Sequence, residues 1–183
     1  IYFDGAPVNI TKGNFLMNSG AVSGFSSQIA ASSGSIGDNT SGKYPCMYRG
    51  IESPYGDMWQ FVDGVNINEH QAWVCKNADQ YASNLFTAPY EQLGYINSDA
   101  NGYSTAMGYD PALPFAEFPV ELGANTATYY CDYHYQNVDQ RIALLGGSWT
   151  DGLRAGPSCW TLNYLSASAS AGIGGRLIKK AVT

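Results

Sequence analysis

The sequence is short of charge, and above all of positive charge. Of its 183 residues only 13% are charged, nine are Lys or Arg, and the formal net charge is −6. A nucleic-acid-binding surface needs a stripe of basic residues to neutralise phosphates, so this composition excludes that class of protein. The surface must instead be covered largely by uncharged Ser, Asn, Thr, Gly and Tyr side chains.

Long apolar runs and histidines are also scarce. No run approaches the roughly 20 apolar residues that a membrane-spanning helix requires, so we expect no membrane insertion. The two histidines, His70 and His134, lie far apart in the sequence. We interpret each as a solvated or hydrogen-bonded strand residue rather than as part of a catalytic pair.

The four cysteines, Cys46, Cys75, Cys131 and Cys159, are widely spaced and form no CxxC motif. This spacing disfavours a zinc site. The alternatives are two disulfides in an exported protein, for which three pairings exist, and buried free thiols. No dense cluster of Asp, Glu and Asn resembles a calcium loop, so the sequence predicts no metal or other cofactor.

Tyrosine and glycine are abundant, with 14 and 21 residues. Together with Ser and Asn they form the composition typical of adaptable recognition surfaces. The length fits one domain, or one domain with an arm. We predict an N-terminal arm at 1–44, rich in Ser, Gly, Asn and Ala, followed by a ligand-binding domain at 45–183.

Local patterns predict short strands joined by turns and loops. Trp59, Phe61 and Val62 indicate a half-buried strand, and Asp63-Gly64 indicates a hairpin turn. Three prolines exclude a long helix between Asp110 and Leu122, and we expect a tyrosine-rich loop from Asp79 to Tyr109. The return strand of the hairpin at Asp63-Gly64 is predicted to begin at Val65–Ile67. The further predicted strands are Gln71–Asn77 (with Ala72, Val74 and Lys76 on one face and Trp73 and Cys75 on the other), Thr128–Tyr135, Arg141–Leu145 and Gly172–Ile178.

The C-terminal part from Leu144 to Lys180 has fixed ends and a permissive middle. It opens on a Gly-Gly-Ser-Trp turn at Gly146–Trp149, where two glycines allow a tight turn and the Trp ring anchors it. It closes on the glycine-rich Gly172–Arg176. The residues between these ends show little apolar periodicity, which favours a surface presented to solvent.

Two blocks of the sequence resemble the formylglycine-generating-enzyme type of the C-type lectin fold. The first is YRGIESPYGDMWQFVDGVNI, and the second is RIALLGGSWTDGLRAGPSCW followed by IGGRLI. Ser53, Asp57 and Gly175 depart from the usual residues of that pattern. The resemblance implies an α+β, C-type lectin fold with mostly short antiparallel strands, long loops and one or two short helices.

A YYCDYHYQN strand before GGSW is most similar to phage tail and minor structural proteins, and to variable proteins diversified by retroelements. The resemblance implies a receptor-binding domain on a virion (phage tail) or cell surface, with a host cell-surface protein or glycan as partner. Because weak sites gain avidity when they are repeated on one particle, we also expect a homo-oligomer, with a trimer as the expected state, helped by the Ser-, Gly- and Ala-rich arm. The implied ligand-binding residues lie between GGSW and the last strand: Thr150, Asp151, Leu153, Pro157, Ser158, Cys159, Thr161, Asn163, Tyr164, Ser166 and Ser168.

Two alternatives stand beside this prediction. A structural virion decoration protein would bury the Thr150–Ser170 face in a neighbouring chain. A formylglycine-generating-type oxidase would need paired reactive thiols, yet Cys159 has no second cysteine close in sequence and only Arg154 nearby as a basic group. No motif brings a histidine and an acid to Ser148 for a hydrolase triad. We therefore predict a binding protein and not an enzyme.

Overall fold

The computed structural model describes residues 47–48, 51–52, 54–125, 132–151 and 154–175. These residues form an almost all-β structure, in which a mixed sheet curls into a half-barrel. Helical structure is limited to short turns, including the 3₁₀ turn Ala78–Gln80. Within this part of the chain there is no helix with the length and apolar character needed to cross a membrane.

Eleven strands are present in the described residues. They are β1 (Met47–Tyr48), β2 (Ile51–Glu52), β3 (Trp59–Asn68), β4 (Gln71–Val74), β5 (Glu91–Gln92), β6 (Gly102–Met107), β7 (Pro119–Ala124), β8 (Tyr133–Gln136), β9 (Gln140–Leu145), β10 (Trp160–Tyr164) and β11 (Ile173–Gly174).

The main sheet has the order β5-β4-β3-β9-β10-β8-β6-β7, with β11 pairing to β3; β1 and β2 form a separate pair. Most neighbours are antiparallel, but β10 runs parallel to β8 and β11 runs parallel to β3. In β10, Trp160 pairs with Leu145 of β9 and with His134 of β8. Strand β10, which comes late in the chain, is therefore central in the sheet.

Each face of the sheet carries its own hydrophobic core, because side chains alternate along a strand. In β9, Ala143 belongs to the first core, whereas Ile142 and Leu144 belong to the second. The first core consists of the buried residues Val65, Ile67, Ala72, Val74, Leu93, Leu113, Ala116, Phe118, Ala143 and Leu162. The second consists of Trp59, Ile142, Leu144 and Cys159, packed against Phe61, Tyr133, Tyr135, Tyr164 and Ile173.

The predicted α+β class is wrong. Strands make up 41% of the described residues and helical residues only 4%, so an all-β description replaces it. The residue pattern predicts strands and loops with at most one or two short helices, and the family resemblance implies the α+β class. Loops, and not helices, supply the layer over the first core: Leu93, Leu113 and Phe118 come from the segments between β5 and β7.

The predicted hairpin turn at Asp63-Gly64 is also wrong. β3 runs unbroken from Trp59 to Asn68, and its register against β9 shifts between Val62 and Asn66. Gly64 has a φ of +79°, and an added Cβ would lie 2.6 Å from the Tyr81 ring. The glycine thus serves a bulge, which inserts residues without reversing the strand.

The actual reversal lies at Glu69 and His70, which join β3 to β4 and both have positive φ, 47° and 68°. Two successive positive φ angles are what a two-residue hairpin turn of type I′ requires. Because neither residue is a glycine, the sequence offered no strong indication of this turn. The true return strand is β4.

Several local predictions are confirmed. β4 places Ala72 and Val74 on one face, as its alternation predicted, and both are buried in the first core. The strand ends at Val74 rather than Asn77, so Cys75 and Lys76 lie beyond it. β9 matches the predicted Arg141–Leu145 strand with one added residue. No helix interrupts the proline-containing stretch before β7. The predicted loop 79–109 also contains β5 and β6, two short strands that its polar composition concealed.

Other predictions fall outside the described residues. These are the arm at 1–44, the residues Arg176–Ile178 of the last predicted strand, Thr128–Cys131 of the predicted strand before β9, and Leu153 among the ligand-binding residues.

Candidate ligand-binding surface

The turn at Gly146 and Gly147 fixes the start of the C-terminal segment. Their φ angles are +101° and +76°, a region that glycine adopts at little cost. The Gly146 amide donates to the Cys159 carbonyl at 2.8 Å, and its own carbonyl accepts from the Gly56 amide at 2.9 Å. An added Cβ at Gly147 would lie 2.7 Å from the Ala155 side chain. The glycines thus let the following loop pack back onto the turn.

Asp151 closes this loop with hydrogen bonds. Its Oδ2 accepts from the amide and the hydroxyl of Ser148, both at 2.7 Å. Its Oδ1 accepts from the Tyr135 hydroxyl at 3.1 Å. Since the carboxylate joins the turn to β8, Asp151 positions the loop as well as standing at its surface.

Beside the loop, three tyrosines form a continuous row, which we call the tyrosine row: Tyr103 of β6, and Tyr133 and Tyr135 of β8. The rings of Tyr103 and Tyr133 are 5.0 Å apart, edge to face, and those of Tyr133 and Tyr135 are 4.6 Å apart. The Trp59 ring continues the row of contacts, since its centre lies 5.9 Å from that of the Tyr135 ring in an edge-to-face arrangement. All three tyrosines are half-buried, so each keeps part of its ring in solvent.

The exposed Arg154 lies over this row. Its guanidinium carbon is 4.8 Å from the centre of the Tyr133 ring, within the range of a cation–π contact. One of its nitrogens donates to the Tyr135 hydroxyl at 3.5 Å. The result is a planar cation resting on the Tyr133 ring, with donor groups left over for other partners because a guanidinium has five.

Tyr135 and Arg154 each keep one protonation state at neutral pH. Burial raises the pKa of Tyr135 to about 12, and Asp151 acts in the same direction. The hydrogen bond with Tyr135 raises the pKa of Arg154. Tyr135 therefore remains a neutral donor, and Arg154 remains a cation.

The structure divides the predicted ligand-binding residues into exposed and buried groups. Thr150, Ser158 and Ser166 are exposed, while Asp151, Pro157, Asn163, Tyr164 and Ser168 are half-buried. Thr150, Asp151, Pro157 and Ser158 lie on the loop that carries Arg154. Asn163 and Tyr164 end β10, and Ser166 and Ser168 follow on the turn after it. The set is thus split into two places separated by β10.

Cys159 and Thr161 lie in the interior, with 0% and 1% of their surface exposed. Strand β10 has a neighbour on each side and a core on each face, so its central side chains are covered. Burial raises the pKa of the Cys159 thiol well above its usual range, which keeps it protonated and unreactive. A ligand has no access to either residue in this conformation.

The turn after β10 borders an open groove of about 590 Å³. Ser166 lines it together with Phe61, Asp63 and Tyr81 from the bulge of β3 and the loop beneath it. The size is within the range of ligand pockets. The groove places Ser166 in an environment different from that of the Arg154 loop.

Sequence reasoning missed the tyrosine row and the position of Arg154 on it. The pattern Tyr133-His134-Tyr135 predicted a strand, but its alternation also placed both tyrosines on one face. From the sequence, Arg154 stands out only as the basic group near Cys159. Its contact with Tyr133 depends on the fold of the loop, to which no sequence motif pointed.

The interpretation of His134 as solvated or hydrogen-bonded is wrong. It is 1% exposed, and neither ring nitrogen has a hydrogen-bond partner among the described residues. Burial lowers its pKa to about 4. His70 contacts Gln136 through its Nδ1.

The remaining groups that could react or bind a metal are the thiols and the acidic side chains. Cys75 and Cys159 are buried free thiols. No three side chains of the His, Cys, Asp or Glu type converge in the described ranges as a metal site would require.

No family model, curated protein or solved structure matches the chain. The resemblance to the C-type lectin fold consequently stays a prediction made from the two sequence blocks.

Proposed function

We propose that this chain is a ligand-binding domain of a phage tail or other virion protein, and that it binds a host cell-surface protein or glycan without covalent chemistry. The observation that carries the proposal is the tyrosine row with Arg154 on it, bordered by the exposed side chains of Thr150 and Ser158. Tyrosine and arginine dominate binding energy at many interfaces. The two sequence blocks, with their resemblance to variable and tail proteins, supply the biological setting.

The arrangement suits recognition because it is held in place before a ligand arrives. Asp151 ties the loop to Tyr135 and to Ser148 through three hydrogen bonds, and the Ser158 amide donates to Asp132 at 2.6 Å. A surface fixed in advance loses less entropy on binding than a mobile one. Aromatic faces can then stack on a sugar ring or an apolar side chain, while the hydroxyls and Arg154 form hydrogen bonds.

The same proposal includes assembly of the chain into a homo-oligomer, with a trimer as the expected state. Several weak sites on one particle bind a cell surface far more tightly than one site does. Sedimentation of the full chain at several concentrations measures this directly. A chain that stays monomeric at high concentration would remove the oligomer from the proposal and leave the single site in place.

The test of the binding surface compares two variants that lose the same charge. Arg154→Ala removes the cation above the tyrosine row, and Lys76→Ala removes an exposed cation that pairs with Glu91 elsewhere, at 3.1 Å. We expect Arg154→Ala to weaken binding to intact bacterial cells by about tenfold or more, with an unchanged melting temperature. Lys76→Ala should bind like the unmodified chain.

Glycan arrays run with the same proteins show whether the ligand is a saccharide. Equal binding by the Arg154 and Lys76 variants would place the recognition surface elsewhere. If the folded chain binds no cells at all, the structural decoration protein becomes the better description.

A further inference from the structure

The loops over the first core carry an apolar patch of their own. Ile96, Tyr109 and Phe115 are 64%, 63% and 62% exposed, more than any other large apolar side chain in the described part of the chain. Together they present on the order of 300–400 Å² to solvent, given the size of such side chains. Apolar patches of this size on soluble proteins are often functional.

Tyr95 joins the loops that carry these three side chains. Its hydroxyl donates to the Ala116 carbonyl at 2.8 Å, and it accepts from the Phe118 amide at 3.1 Å. Its ring also occupies the position where Gly108 would carry a Cβ. Ile96, Tyr109 and Phe115 are the immediate chain neighbours of Tyr95, Gly108 and Ala116, and they are directed to solvent. We call these three residues the Tyr95 patch.

The loops under the patch are firmly held. Asp110 accepts from the Gly94 amide with one carboxylate oxygen and from the Ala112 amide with the other, both at 2.8 Å. Leu113 and Phe118 are buried in the first core. A preorganised surface of this kind loses little entropy when a partner covers it.

The surroundings of the patch are acidic. The sequence from 77 to 140 contains eight Asp or Glu residues and no Lys or Arg. Lys76, just before this stretch, interacts with Asp110 and pairs with Glu91 at 3.1 Å. Asp110 and Glu117 flank Tyr109 and Phe115 in that stretch, and Glu117 is exposed. The backbone hydrogen bonds lower the pKa of Asp110, which keeps that carboxylate charged. The patch is thus an apolar centre with a predominantly negative rim, in which Asp110 and Glu117 both act on Tyr95 and Lys76 is the cation beside Asp110.

We propose that the Tyr95 patch is a docking surface for a second protein, one that presents apolar side chains surrounded by Lys and Arg. Apolar contact would cover Ile96, Tyr109 and Phe115, and the basic residues would pair with the acidic rim. A second copy of this chain fits poorly, since two identical patches would bring like charges together. Phosphate-bearing surfaces are disfavoured for the same reason.

The docking surface is separate from the proposed ligand site. Its loops cover the first core, whereas Tyr133 and Tyr135 pack against the second. A variant at Arg154 therefore leaves the patch intact, and a variant at the patch leaves the tyrosine row intact. The two proposals succeed or fail independently.

The test uses the full chain and two sets of short immobilised synthetic peptides. Both sets share the same Leu, Ile and aromatic residues; one set adds Lys and Arg, and the other adds Asp and Glu at the same positions. We expect binding to the basic set, weakened by added salt. Ile96→Ser, Tyr109→Ser and Phe115→Ser should each reduce it by about tenfold.

The matched controls are Val138→Ser and Leu165→Ser, which remove exposed apolar side chains outside the patch (49% and 51% exposed). Both should bind the basic peptides like the unmodified chain, and melting temperatures should be unchanged throughout. Equal binding to both peptide sets, or equal loss in the patch and control variants, would overturn the proposal. So would a concentration-dependent dimer that Phe115→Ser abolishes, because the occupant would then be a second copy.

Discussion

The two faces of the sheet differ in how they are covered. The first face is closed by loops that insert Leu93, Leu113 and Phe118 into an aliphatic core. The second face is smaller and aromatic, and its outer tyrosines stay half-exposed beneath the Arg154 loop. Stability is concentrated on one face and polar recognition groups on the other. A chain of this size can therefore vary one face with limited cost to the other.

The largest effect is expected from Phe118 on the closed face. It is 1% exposed and its ring centre lies 4.9 Å from that of Trp160. Phe118→Ala should lower the free energy of unfolding by about 3–5 kcal/mol, because it removes a buried ring and leaves a cavity. Urea denaturation measures the change. Phe115→Ala, three residues earlier and 62% exposed, should stay within about 0.5 kcal/mol; similar losses in both variants would mean that the loop layer is not closed as described.

The next effect concerns pH and the buried His134, which lies on the same side of β8 as Gln136. Its pKa of about 4 is below the ordinary value of 6.5, so the unfolded chain takes up this proton first as the pH falls. The contribution of His134 to the free energy of unfolding is constant well above pH 6.5. It falls between pH 6.5 and 4, and it stays at its lowered value below pH 4. Through this group the loss approaches about 3 kcal/mol, since one pKa unit is worth about 1.4 kcal/mol.

The control for the pH effect is His134→Leu, which removes the titrating ring. Unfolding free energies at pH 8 and pH 4.5 should differ less in this variant than in the unmodified chain, by about 2–3 kcal/mol. Carboxylates titrate in both proteins, so their contribution cancels in the comparison. Identical pH dependence would show that the folded interior admits the proton at no cost.

The smallest effect distinguishes the hydroxyl groups of the aromatic face. Tyr135→Phe removes the donor to Asp151 and should cost about 1 kcal/mol of unfolding free energy. Tyr164→Phe is matched to it, because Tyr164 packs against the same core and its hydroxyl has no hydrogen bond to a described residue. Thermal denaturation of both variants provides the measurement. A larger loss at Tyr164 would contradict the role given to the Tyr135–Asp151 contact.

Strands with a clear alternation were predictable from the sequence. The alternation predicted that Ala72 and Val74 lie on one face of β4, and the apolar run before Gly146 predicted β9. The bulge at Gly64 could not be distinguished from a turn, because Asp-Gly favours positive φ in either setting. β3 continues through Gly64 because it pairs with β9 on both sides of the bulge. This pairing is a long-range contact, which local sequence does not reveal.

The candidate site was only partly predictable. Thr150 and Ser158 are exposed, as a presented loop requires. Cys159 and Thr161 are buried because β10 inserts between β9 and β8, and the parallel pairing with β8 comes from a distant part of the chain. Local composition gave no indication of a central strand there. The cation–π contact of Arg154 similarly depends on tertiary structure.

The central place of β10 also bears on how this protein can change over generations. Its hydrogen-bonded neighbours, β9 and β8, hold it from both sides, so its register does not depend on the connections that enter and leave it. Insertions and deletions between Tyr164 and Ile173 alter loop length at a small entropic cost, whereas those between Leu145 and Trp160 would also break the hydrogen bonds of Asp151. The molecule can thereby acquire new shapes by length variation as well as by substitution, while the same strand stays fixed between them.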